Sequence, residues 1–450
     1  MNIRADAEHS GLLLGPLAGV DQVDAEVSDH ALLRAMLDCE QALAEAGAAA
    51  GVVPADAAAA IAEVCRSGQF DLGRLGRDAQ SAGNPVVPLV RVIGEQLPVE
   101  ARPWVHHGST SQDILDTALL LCVGRALDAA DASVASAACA ELVRSHRNTL
   151  VAARTLGQQA GPTTFGLKAA GWLTGLDEAL TRLESVRSSL PAQLGGATGT
   201  LAVFGDAGPA VIEGFAARLG LKPASPWHTN RQPILELTAA LGGLVAACGK
   251  VALDVTLLAQ TEVGEVTEGE SGGSSALPHK QNPVGSVLIT AIVRRMPGLV
   301  ATLYAAGVHE HERATGAWHA EWEPLRELTR LAGAAGVRTG RLLSELRVHP
   351  EKMRANLDLT QGLVLSESVA ARLAPALGRA GAHQVVGRIG QVAVEKGTSL
   401  RDHLVADPDV RRVLSVEEID EALDPANWLG SSGTLIDRAL AAHDRAAGAR

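Results

Sequence analysis

From Gln112 to about His146, apolar residues recur on two faces of one helical wheel. Leu115, Leu119, Cys122, Ala126 and Ala129 form one stripe, and Leu120, Val123, Leu127, Ala130 and Val134 form a second. A helix apolar on two sides is packed on two sides, as in the interior of a bundle. No proline falls between Pro103 and Pro162, or between Pro162 and Pro191, and Gly124 is the sole glycine from 112 to 146. The pattern predicts one helix of about 35 residues there, roughly 50 Å long. Comparable double stripes predict helices over Ile234–Glu262 and Val284–Tyr304. One chain has too little surface to cover them all, so an oligomer built around shared helices is expected.

The two ends of the chain read differently. Ser28 is placed to cap a helix carrying Leu32, Leu33, Met36, Leu37 and Leu43 up to Gly47. A second helix fits Ala55–Cys65, followed by loop past Gly83-Asn84-Pro85 to Pro103. The last hundred residues form shorter pieces punctuated by Gly381, Gly397, Pro408 and Pro425. These changes in pattern place three domains at residues 1–105, 106–346 and 347–450.

Composition sharpens the fold class. Aromatic residues are 2% of the chain, whereas Ala and Leu dominate, the reverse of what a β-sandwich or barrel needs. An all-α protein is expected. Lys and Arg number 39 against 51 Asp and Glu, a net charge of −12, which argues against a nucleic-acid surface. It also means that any anion site must be locally basic. No apolar run has the length of a membrane span, and the first ten residues lack the basic and apolar parts of a secretion signal. The five cysteines stand apart with no CxxC pair, so neither a disulfide framework nor a zinc site is expected, and a reducing cytoplasm is the simplest compartment.

Three local motifs resemble catalytic signatures and fail on context. Gly269-Glu270-Ser271-Gly272-Gly273 fits GxSxG, but that elbow needs a strand feeding into it, and helix-type sequence precedes it. Gly249-Lys250 lacks the first glycine and the Ser/Thr of a phosphate loop. His309-Glu310-His311-Glu312 lacks HExxH spacing and reads as a solvated or anion-facing helix end rather than a metal site.

The stretch 268–286, EGESGGSSALPHKQNPVGS, is of another kind: a long Gly/Ser-rich loop between helices, the form of a binding loop or lid. Ser274 and Ser275 stand beside two glycines, with Lys280 and Asn282 close behind. Residues 273–283, GSSALPHKQNP, resemble the GSSxMPxKxNP signature of the fumarase/aspartase superfamily, with Leu277 in place of Met. His106–Asp113 (HHGSTSQD) is similar to that superfamily's HxGxTSxD segment, and Arg154–Gly166 (RTLGQQAGPTTFG) to its RTHxQxAxPxTxG segment. Within the superfamily, Trp104–Ala118, Pro226–Arg231 (PWHTNR) and His309–Trp322 are most similar to the bacterial 3-carboxy-cis,cis-muconate cycloisomerases.

The resemblance implies three helical domains, a homotetramer with a central bundle, and sites shared between three subunits. It implies a small polycarboxylate substrate, no metal, no organic cofactor, no nucleic-acid partner and no membrane. It assigns Ser274 as the proton-transferring residue, with Lys280, Asn282 and His106 beside it. Substrate binding falls to Thr110, Ser111, Ser275, Arg154, Gln158, Arg231 and Arg313, the arginines suiting bidentate carboxylate contacts. One departure is informative. Where the superfamily's lyases carry the His of RTH, this chain has Leu156. A lyase expelling an amine or hydroxide needs a proton donor there, but a lactone closed by an ionised carboxylate does not. The expected activity is therefore lactonisation of 3-carboxy-cis,cis-muconate. The alternatives are a lyase acting on a succinyl compound of nitrosuccinate or adenylosuccinate type, and a non-catalytic helical scaffold.

Overall fold

The computed structural model describes residues 13–269, 272, 273, 277 and 280–449. The fold is all-α, with three two-stranded antiparallel ribbons as the only sheets among the described residues. By their contacts these residues form two compact units. One gathers 13–133, 179–249 and 288–338, and the other 134–178, the described part of 250–287, and 339–449.

In the first unit, Ser28 caps the helix Asp29–Ala49 by accepting from Ala31 N–H at 3.0 Å, as its side chain predicts. That helix packs against Ala55–Ser67, Ser111–Ala130 and Gly208–Leu219. Both predicted stripes of Ser111–Ala130 are largely buried, Leu115, Leu119, Leu120, Cys122 and Val123 among them. The single long helix expected over 112–146 is two helices, Ser111–Ala130 and Ser133–Ser145. Asp131 breaks it at φ +34°, a left-handed conformation Asp tolerates, and its carboxylate accepts from the Ser133 hydroxyl. The loop expected before Pro103 instead holds helices Leu72–Ala82 and Val86–Gln96. Asp71 caps the first, while Gly83 at φ +73° ends it and Asn84 accepts from Val86 N–H to start the second.

In the second unit, Val369, Leu373, Val386, Ile389, Leu400, Leu404 and Ile419 form a buried cluster among the C-terminal helices. Gly381 does not punctuate them as expected: Ser366–Lys396 continues through it, kinked at Gly378. Gly397 at φ +61° does end that helix.

The expectation of no span-like apolar run needs correction. Gln232–Leu258 and Val284–Ala306 are long and apolar enough to cross a membrane by length and composition alone. The first is nearly half buried within the fold; the second is little buried, with Val284, Val287 and Tyr304 exposed on its surface.

Candidate active site

In the first unit the site is built on the turn before Ser111–Ala130. His106 sits at φ +57° and Gly108 at φ +74°. Gly108 is held against Phe204, whose ring a Cβ at 108 would meet at 2.5 Å. This tight turn delivers Thr110 and Ser111 to the positive end of a 20-residue helix. Asp113, fully buried in the first helical turn, locks the arrangement. Its carboxylate accepts from Thr110 N–H at 3.0 Å, Gly195 N–H at 3.0 Å, Gly196 N–H at 2.9 Å and His228 Nε2 at 2.6 Å. One carboxylate thus ties the His106–Asp113 block to the Gly-rich 195–200 loop and to the 226–231 segment.

His106 donates through Nδ1 to Glu40, 2.6 Å away. Burial alone would lower the affinity of this imidazole for its proton, but Glu40 overcomes that and raises its pKa above the ordinary value. Neighbouring His107 has its pKa lowered by burial and packs between Trp104 and Phe204.

Arg313 donates Nη2 to the carbonyl of Gly196 at 2.6 Å and Nη1 to that of Glu312 at 2.5 Å. It forms no ion pair with a carboxylate among the described residues, and burial holds its pKa below the usual arginine range. It remains a cation with open N–H donors beside the 195–200 loop.

Arg231 is different, and its expected contact with substrate is corrected here. It is 2% exposed, and both edges of its guanidinium are occupied. Nη1 and Nη2 grip Asp116 at 2.8 and 3.1 Å, while Nη2 and Nε grip Glu321 at 2.6 and 3.1 Å. The remaining Nη1 hydrogen faces the His228 carbonyl at 3.4 Å, and the cation lies 4.7 Å from the Trp227 ring. With five N–H groups engaged, none is left for a ligand. Burial alone would raise the pKa of Asp116, but Arg231, Trp318 and Gln112 together pull it below the ordinary value. His309 belongs to this core too, meeting Glu321 at 3.2 Å, whereas Glu310, His311 and Glu312 are exposed as a solvated segment should be; Glu310 closes its own loop onto Thr315.

In the second unit, the Arg154–Gly166 block is a hairpin, Leu150–Thr155 paired with Gln158–Thr164. Leu156 at φ +53° and Gly157 at φ +80° form its two-residue turn. Leu156 is fully exposed, so it is no wall of a pocket formed by this chain, and Gln158 beside it is exposed as well. Arg154 is half engaged: Nη1 and Nη2 hold buried Glu265 at 2.9 and 2.6 Å, and the side chain keeps 23% of its surface. Asn356 donates Nδ2 to the same Oε1 of Glu265 that Arg154 Nη2 holds, at 2.7 Å.

The signature loop is pinned at its base. Gly272 and Gly273 pair antiparallel with Asn282 and Gln281. Buried Glu268 accepts from Gly285 N–H at 2.8 Å, Ser286 N–H at 2.9 Å and Ser286 Oγ at 2.6 Å, capping the helix that follows. Lys280 is exposed, and Asn282 lines a cavity of about 180 Å³ with Thr261, Thr267 and Glu268. Ser274 and Ser275 lie outside the described residues.

The motif blocks contain Asp113 and His228 but do not reveal their partnership, which spans 115 positions. Glu40 gave no signal beyond a charge on an otherwise apolar helical face. The 195–200 glycines were a visible signal, since Gly-Gly-x-x-Gly between helices marks close backbone approach.

A family model described as Lyase matches residues 18–298, and one described as Adenylosuccinate lyase C-terminus matches 362–439. Nitrosuccinate lyase of Streptomyces davaonensis is 47% identical, over 96% of this chain and 95% of its own length. A 3-carboxy-cis,cis-muconate cycloisomerase of Pseudomonas aeruginosa is 44% identical, over 93% of this chain and 94% of that protein. The crystal structure of the 3-carboxy-cis,cis-muconate lactonizing enzyme from Pseudomonas putida superposes with a TM-score of 0.91 at 40% identity, covering 97% of this chain and 100% of that one. Motifs, all-α fold and whole-length similarity agree: the chain belongs to the lyase family of the fumarase/aspartase superfamily.

Proposed function

We propose that the protein is a cycloisomerase that closes 3-carboxy-cis,cis-muconate to 4-carboxymuconolactone. The observation that favours this reading over an amine- or hydroxide-releasing lyase is Leu156, which by the family resemblance stands where such lyases hold a proton donor. In lactonisation a substrate carboxylate oxygen forms a bond to an alkene carbon. The alkene electrons move onto the neighbouring carbon and its carboxylate, giving a doubly charged aci-carboxylate. Ser274 then delivers a proton to that carbon. The attacking carboxylate, with pKa near 4, needs no base and, in reverse, no acid. Thr110, Ser111, Lys280 and Asn282 donate to the developing charge, and Ser275, His106, Arg154, Gln158 and Arg313 fix the tricarboxylate in a near-attack geometry. This chemistry asks for no metal or organic cofactor.

The exposed apolar surface of Val284–Ala306 supports assembly as a homotetramer around shared helices. The three-domain division at 105 and 346, the sharing of sites between three subunits and a cytoplasmic location belong to this same reading.

A second reading is favoured by the 47% identity to a nitrosuccinate lyase. Nitrite is a leaving group that also departs without an acid, so Leu156 suits it equally. Elimination of an amine, as from adenylosuccinate, suits it poorly. A substrate panel separates them: loss of the diene ultraviolet absorbance of carboxymuconate supports lactonisation. Release of fumarate and nitrite from nitrosuccinate, with carboxymuconate untouched, overturns it. In the active protein, Ser274→Ala should lower kcat about a hundredfold or more, with a modest effect on KM. Sedimentation should give four chain masses, and a monomer active on dilution rejects the shared-site assembly.

A further inference from the structure

Glu40 lies in the middle of Asp29–Ala49 and is 1% exposed, flanked by the buried Cys39. A carboxylate in such surroundings is unfavourable unless donors meet both oxygens. Only one is met: Oε1 accepts from His106 Nδ1 at 2.6 Å, while Oε2 is buried without a partner among the described residues. A half-satisfied buried carboxylate is a poor device for stability alone. His106 carries a second unfavourable feature, its left-handed φ of +57°. Two destabilising features therefore converge on one imidazole. Its other nitrogen, Nε2, has no partner among the described residues, and 19% of the side chain remains exposed.

We propose that Glu40 is a positioning residue of the reaction: it takes the Nδ1 hydrogen of His106 and so presents the Nε2–H, positively charged, to a carboxylate of the substrate. This rests on the reading of His106 as a substrate-facing group. Glu40 acts through His106 and does not touch the substrate. Accepting at Nδ1 fixes that nitrogen as the one that keeps its hydrogen, so the outward Nε2 carries one only while the ring is protonated. The charged groups bearing on His106 are Glu40 and Asp113, and Asp113 is itself bonded to His228 and lies within the field of Arg313. Burial opposes the charged ring and the two carboxylates restore it, so protonation persists above the ordinary histidine value of 6.5. A neutral Nε2 without its hydrogen would turn a lone pair toward an anion and repel it. Glu40 thereby widens, toward higher pH, the range over which the site holds a polyanion.

Glu40→Gln preserves shape and one acceptor oxygen but removes the charge. With whichever substrate the parent protein consumes, kcat/KM should fall roughly ten- to a hundredfold, by analogy with the loss when the carboxylate behind a metal-bound histidine is removed. The high-pH limb of its profile should move down, toward the unperturbed histidine range. Glu40→Asp, which keeps the charge, should restore part of that limb. Parent-like kcat/KM and an unmoved limb in Glu40→Gln would overturn the proposal, as would lost activity with a lowered melting temperature and an unmoved limb. If the variant does not fold, ¹⁵N-histidine NMR of the parent decides: His106 protonated at both nitrogens above pH 6.5 supports the pairing, and an Nδ1 without hydrogen sinks it. That measurement needs no substrate, so a parent inactive on carboxymuconate and nitrosuccinate refutes the functional reading without deciding this one.

Discussion

Replacing Arg231 by Met tests whether this arginine serves the fold or the substrate. The side chain is 2% exposed and joins Asp116 and Glu321, each also 2% exposed. After substitution Asp116 still accepts from Gln112 at 3.1 Å and Trp318 at 2.9 Å, whereas Glu321 keeps only His309 at 3.2 Å. Breaking one buried ion pair this way typically costs about 3–5 kcal/mol. The loss has a ceiling, because an orphaned carboxyl can take up a proton: at pH 7, protonating a group of ordinary pKa near 4 costs about 4 kcal/mol. Two such groups set the expected destabilisation at roughly 4–8 kcal/mol, much of the stability of an average domain. The pH dependence should change with it. In the variant, a carboxylate left buried without its cation favours the protonated form, so stability present at low pH is lost as pH rises. Urea unfolding at pH 5 and pH 7 should therefore show Arg231→Met gaining stability on acidification. Parent-like stability within about 0.5 kcal/mol at pH 7, combined with a raised KM, would refute the structural assignment.

Other substitutions probe other parts of the site. Gly108→Ala places a methyl group 2.5 Å from the Phe204 ring at a φ of +74°, so a loss of about 2–4 kcal/mol is expected by thermal melting; a loss below about 1 kcal/mol would mean the turn relaxes. Lys280→Met removes an exposed cation with no ion pair among the described residues, so the melting temperature should hold while kcat/KM falls roughly a hundredfold. Leu156→Asn relieves a left-handed leucine at the hairpin turn and should raise stability by about 0.5–1 kcal/mol; a lowered melting temperature would show that the leucine is packed in the assembled protein. The Glu40–His106 pair raises a histidine pKa, so its stabilisation is fully present below about pH 6.5 and fades as pH rises through the folded value. Urea midpoints of the parent and of His106→Gln, compared from pH 5 to 9, should converge at the alkaline end.

The helical class was legible, and the candidate site blocks could be proposed, because both rest on local pattern. Double apolar stripes need only neighbouring positions, and Lys280, Asn282, Thr110 and Ser111 sit in compact motifs. Two short helices before Pro103 were read as loop because Asp71, Gly83 and Asn84 act as caps there, and caps and loops use the same residues. The break at Asp131 was hidden for the opposite reason, a single left-handed residue inside an otherwise uninterrupted helical pattern. Arg231 was misread because an arginine in a motif looks alike whether it faces a ligand or the core. Its partners lie 115 and 90 positions away, and nothing local announces them. Glu40 lies 66 positions from His106 and escaped notice for that reason.

The charged centre around Arg231 also sets an order of events during synthesis. Asp116 leaves the ribosome well before Arg231, and Arg231 well before Glu321. Until residue 321 is available, the guanidinium has half its partners and cannot be buried without loss. The segments holding Asp116 and Arg231 must therefore wait, partly hydrated, for the last third of the chain. Contacts of such sequence separation form slowly and leave apolar surface open meanwhile. A nascent chain halted before Glu321 should be held by chaperones or degraded rather than stored as a folded fragment.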